Sequence, residues 1–219
     1  MPRLIPTPIV AGALALGVLV AGGASTSLAL DAPGTPTTSP SPSRQTTWTF
    51  SWTAATADAG FAITGYEGGI DGAFQDLGNT LSATLSVPEG AHTFRVRALQ
   101  APIDGSAGAT PGPPSQGVTV RVDTTAPSIK GSAPAPNGLR GWYRLPFTVS
   151  FACLDTGGSG VTACGPNRNV TANADGSNQG TRSFTGTATD VVGNTAVTAF
   201  GPLNIDMLAP TDALLSTPN

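Results

Sequence analysis

Hydrophobic residues alternate with small polar ones through most of this chain. Trp48, Phe50 and Trp52 are interleaved with Thr47, Thr49 and Ser51. A period of two puts the rings on one face of a strand and the hydroxyls on the other. Ile63 to Ile70 and Phe74 to Leu77 flank Asp71-Gly72, a dipeptide suited to the positive-φ positions of a tight hairpin. Leu81 to Val87 alternates next, then His92 to Ala98 with Arg95 and Arg97 on the solvent side, then Val118 to Val122. Together they predict about seven strands at sandwich spacing. A second set follows: Phe147 to Cys153, Arg182 to Asp190, Thr195 to Phe200 after the turn signal Gly193-Asn194, and Leu203 to Ile205. No segment keeps helical periodicity for three turns, so the expected class is all-β.

An internal echo divides the two sets. Val122-Asp-Thr-Thr-Ala-Pro127 returns as Ile205-Asp-Met-Leu-Ala-Pro210, each copy following a β run. The predicted segments are 1–29, a signal peptide; 30–46, a Pro/Thr/Ser-rich linker; 47–122, the first β-sandwich; 123–206, the second; and 207–219, the start of a further repeat or an unstructured tail. The leader reading rests on Arg3, the apolar stretch Ile9 to Val20, and small Ser27 and Ala29 ahead of a cut after Ala29. That stretch is too short and too Gly-diluted for a membrane span, so none is expected after cleavage. Pro33, Pro36, Pro40 and Pro42 favour an extended, unpaired tether, either a leader remnant or a stalk. Between the sandwiches only Asp123-Thr-Thr-Ala-Pro127 remains. It has no glycine, and Pro127 restricts both itself and Ala126, which predicts a stiff joint.

Composition narrows the function. Only 11% of residues are charged and the net charge is −3, which argues against nucleic acid or an anionic membrane as partner. His92 is the sole histidine, on an arginine-flanked strand where a catalytic base is poorly placed. Glu67 and Glu89 are the only glutamates, so a carboxylate pair for glycosidic cleavage is not evident. Neither an enzyme activity nor a cofactor is expected. Cys153 and Cys164 are the only cysteines; outside the cell they pair and close the loop from Leu154 to Ala163. Asp123, Asp155, Asp190 and Asp206 are weak calcium candidates, oxygen donors in loops or junctions. No dense Asp-x-Asp loop joins them, and Asx-type turns are the structural alternative. Trp142 and Tyr143 are candidate sugar platforms, but adjacent strand residues face opposite ways, so at most one is exposed.

The second set resembles the bacterial immunoglobulin-like repeats found in tandem in secreted and cell-surface proteins. The resemblance is carried by Gly141-Trp-Tyr143, Phe147 to Phe151, Cys153-Leu-Asp155, Ser159-Gly-Val161, Cys164, Gly186 to Asp190 and Gly193-Asn-Thr195. The first set is similar to a fibronectin type III unit through Phe50-Ser-Trp52, Tyr66 and Val87 to Ala98, with His92 where that family usually has a corner tyrosine. These resemblances imply a secreted or cell-surface, non-catalytic protein that serves as an adhesion, binding or spacer unit. The alternative they leave is a carbohydrate-binding or accessory module of a secreted enzyme. The partner would be an extracellular protein or polysaccharide; oligomeric state is not specified by the residues.

Overall fold

The computed structural model describes residues 30–172 and 178–209; the expected signal peptide and most of the expected tail lie outside them. The chain is all-β, with a single short 3₁₀ turn, Leu139–Gly141, among the described residues. Fourteen strands form two sandwiches, each with its own core.

The first sandwich contains β1 (Thr47–Ser51), β2 (Phe61–Ile70), β3 (Gln75–Gly78), β4 (Ser82–Ser86), β5 (Gly90–Pro102), β6 (Thr110–Pro114) and β7 (Val118–Val122). One sheet pairs β1 with β4; the other runs β3-β2-β5-β6, with β7 also on β5. The alternation in β1 does what it predicts: Trp48 and Phe50 are fully buried, Thr47 and Thr49 exposed. Phe50 stacks on Phe94 of β5 at 4.2 Å, and Trp52 meets the edge of Tyr66. Asp71 and Gly72 take φ of 52° and 87°, the left-handed pair that turns β2 into β3. β6 is not among the strands that alternation predicts, because Thr-Pro-Gly-Pro-Pro reads as a loop. As an edge strand it needs few N–H donors, which is where proline is tolerated. β6 and β7 lie along successive parts of β5, broken at buried Ser115, which exchanges hydrogen bonds with Val96.

Residues 30–43 correct the expectation of a free tether. Leu30 joins the first core, and Pro33 and Pro36 are buried. Gly34 N donates to Thr53 O, and Thr37 and Ser51 exchange backbone hydrogen bonds in an antiparallel bridge to β1. The segment then crosses to the other sheet, where Ser43 pairs in parallel with Val122 and Ser41 Oγ accepts from Arg121 N. Proline favours the extended backbone such an edge segment requires. The composition that suggests a tether therefore serves as an opening segment of the sandwich, held by two isolated bridges.

The second sandwich contains β8 (Ser128–Ser132), β9 (Trp142–Tyr143), β10 (Phe147–Leu154), β11 (Val161–Gly165), β12 (Arg168–Val170), β13 (Gly180–Asp190) and β14 (Thr195–Ile205). Its sheets are β12-β10-β8 and β11-β13-β14-β9. Phe147, Val149 and Phe151 point inward from β10 and meet Val170, Ile205 and Tyr143. β9 repeats the trick of the first module by pairing in parallel with the closing strand, Tyr143 opposite Ile205. Tyr143 is buried, stacked on Phe147, and donates its hydroxyl to Pro134 O, while Trp142 is exposed, as their adjacency requires.

Cys153 and Cys164 form a disulfide with Cα atoms 5.8 Å apart. It links β10 to β11, strands of opposite sheets, so it ties the sandwich together besides closing a loop. In the chain-entropy account, closing a loop this short contributes about 3 kcal/mol. Replacing both cysteines with alanine is expected to lower the melting temperature of the second module by about 10–20 °C and leave the first unchanged, as read by calorimetry. Equal midpoints for both modules before and after substitution would refute it.

Candidate functional site at the junction

The five residues from Asp123 to Pro127 are held from both sides. Asp123 directly follows β7, and its N–H donates to Ser43 O on the opening segment. Its side chain is fully buried. Oδ1 accepts from Thr125 N at 3.1 Å, forming an Asx-type turn, and Oδ2 accepts from Ser159 N of the second module at 2.9 Å. Burial raises the Asp123 carboxyl, but hydrogen bonds from Ser159 and Thr125 outweigh it and hold the group below its ordinary value.

Two loops of the second module build the receiving face. In the β10–β11 loop, Asp155 accepts Gly157 N and Gly160 N on its two oxygens, which folds residues 155–160 into a compact turn. A side chain at Gly157 would collide with the Asp123 carboxylate, so glycine is needed for the close approach. In the β13–β14 loop, Asp190 accepts both the N–H and the side-chain amide of Asn194, each at 2.7 Å. The same Asn194 amide reaches Asp123 O at 3.0 Å and Thr125 O at 3.4 Å. Val191 N donates to Gly160 O, joining the two loops. The disulfide closes the loop that carries Asp155, Gly157 and Ser159, which preorganises this face.

The first module grips the joint from its side. Glu89 Oε2 accepts Thr124 N and Thr124 Oγ1, and Oε1 accepts Thr125 Oγ1. The bonds from Thr124 hold the Glu89 carboxyl below its usual range. His92 sits just behind, with Nδ1 2.7 Å from Asp71 Oδ2 and Nε2 3.1 Å from Glu89 O. Its Asp71 partner raises its pKa above the ordinary 6.5. Both ring nitrogens are engaged at a strand corner. Arg44 Nη1 donates to Gly193 O across the junction.

Of the four aspartates considered for calcium, three come together: Asp123, Asp155 and Asp190 place one oxygen each within 4.8 Å of one another. Asp206 lies exposed beyond the end of β14 and is not part of the group. Three carboxylates are ligands that Ca²⁺ takes, though it collects six to eight oxygens. Here all six carboxylate oxygens accept a hydrogen bond from an N–H group, the local arrangement of capped turns. Spacing along the chain could not reveal this meeting, because each aspartate sits in a different turn.

No known protein-family profile matches the chain, and no curated protein matches it. Among solved structures, the fibronectin(III)-like modules of Clostridium thermocellum CbhA align at 14% identity and a TM-score of 0.31, covering 81% of this chain and 98% of that one. The central fibronectin-III array of RIM-binding protein aligns at 13% identity and a TM-score of 0.29, covering 83% of this chain and 72% of that one. Overlaps this low carry no inference beyond their own numbers. The strand order defines the class: two fibronectin type III/immunoglobulin-like sandwiches, each opening on one sheet and crossing to pair in parallel with the closing strand of the other.

Proposed function

We propose that this chain is an exported, non-catalytic modular protein that holds its sandwiches in a fixed relation, as a spacer or presenting unit outside the cell. The observation that carries this reading is the buried Asp123, bonded at once to its own linker and to the second module. A unit that must search for substrate uses a flexible, Gly/Ser-rich tether; this junction has no glycine and at least six hydrogen bonds from or to the linker. Fibronectin type III-like modules of this kind are commonly binding or spacer units, and function resides in the surfaces they hold apart.

Export follows from the leader expected at residues 1–29, and the packing of Leu30 is in keeping with a cut after Ala29: the first residue left behind fills the first core. N-terminal sequencing of protein recovered from the medium of expressing cells is expected to start at Leu30. Recovery of the chain solely inside cells with Met1 intact would overturn the exported role.

A further inference from the structure

The end of the second module is built on the same plan as the end of the first. Val122 and Ile205 are both fully buried, and both pair in parallel with the crossing part of the opening segment, at Ser43 and Tyr143. The N–H of the following aspartate then donates to the carbonyl of that partner: Asp123 to Ser43 O at 3.0 Å, Asp206 to Tyr143 O at 2.9 Å. The next N–H is also captured alike. Glu89, just ahead of β5, accepts Thr124 N at 2.9 Å; Gln179, just ahead of β13, accepts Met207 N at 2.7 Å. Each of these side chains precedes a glycine at positive φ, Gly90 and Gly180. The two ends differ in what covers them. The Asp123 side chain is fully buried by the loops of the next module, whereas Asp206 and Leu208 are exposed.

We propose that the Asp206–Ala209 end is a docking surface for a further module carrying the two receiving loops of residues 155–160 and 190–194. Its turn would offer a backbone N–H to the Asp206 carboxylate, as Ser159 does for Asp123. Its asparagine would donate to the carbonyls of Asp206 and Leu208, as Asn194 does for Asp123 and Thr125. The first module of a second copy does not fit. Its matching loops, residues 53–60 and 103–109, contain no asparagine and no Gly-Gly-Ser-Gly turn. The surface therefore selects a module of the second kind, joined in line, over head-to-tail association of this chain. This extends the rigid-junction reading to a second joint.

The test extends the whole chain after Pro210 with a second copy of residues 128–206 and follows chymotrypsin cleavage at exposed Leu208. Docking is expected to slow that cut at least about tenfold relative to the unextended chain, since cleavage then requires local opening. Asp206→Ala is expected to restore fast cleavage in the extended chain and change nothing in the unextended one. Cleavage that is not slowed, or slowing that survives Asp206→Ala, overturns the proposal, as does concentration-dependent association of the unextended chain through this end. X-ray scattering of residues 30–209 reads the first joint separately, so a rigid Asp123 junction with an undocked added module would sink only this inference.

Discussion

A chain that starts at Gln45 is expected to lose about 4–6 kcal/mol from the first module relative to one that starts at Leu30. Leu30 is nearly fully buried in that core, and complete burial of such a side chain contributes about 2–3 kcal/mol. Pro33 and Pro36 are buried as well, so removing them uncovers apolar surface on β1 and its neighbours. The deletion also removes main-chain hydrogen bonds to Thr53, Ser51 and Arg121, and the loss at Asp123 N of its Ser43 acceptor strips one support from the junction. A loss of this size approaches the whole stability of a small domain. Denaturant unfolding of the two forms should show the first transition at a markedly lower midpoint in the shorter chain. Coincident midpoints would mean that residues 30–44 are a passive leader after all.

Asp123→Ala is expected to destabilise the second module by about 2–3 kcal/mol and to loosen the joint. The change leaves Thr125 N and Ser159 N without their acceptor, and an unsatisfied buried donor costs about 1–3 kcal/mol. Relief of repulsion from Asp155 and Asp190 opposes this, which keeps the estimate below the simple sum for two donors. Asp123→Asn retains one acceptor oxygen and should fall between. Acid acts in the same direction. The folded-state pKa values of Asp123 and Glu89 are depressed, so their contribution is present above the unfolded values near 4 and is lost as pH falls through the folded ones. Calorimetry of the two variants at neutral pH checks the order; an Asp123→Ala protein as stable as the parent would contradict it.

Much of the fold was legible because burial on one face imposes a period of two. The rings of β1, the core side of β5 and the Phe147–Val149–Phe151 series of β10 all fell where alternation placed them. Asp71-Gly72 marked its hairpin, since few residue pairs accept two left-handed positions. Edge elements were hidden. Residues 30–43 and β6 are rich in proline and make sparse pairings, so their composition matches that of a loop. β11 and β12 are short and largely exposed, with little apolar content to betray them. The disulfide was legible from two cysteines in a chain with an expected leader, but its passage from sheet to sheet was not. The junction was half legible. A stiff linker is what its own residues predict, whereas the convergence of Asp123, Asp155 and Asp190 depends on two remote turns that only the folded sandwich brings to it.

On the proposed reading, the two sandwiches form one rigid unit through the Asp123 joint. Small-angle X-ray scattering on residues 30–209 at neutral pH tests it most directly, with Asp123→Ala measured beside it. A single conformation with one fixed separation between modules is expected to fit the parent curve, and the variant to require a broader distribution. A parent curve that demands an ensemble from compact to extended, indistinguishable from the variant, would contradict it.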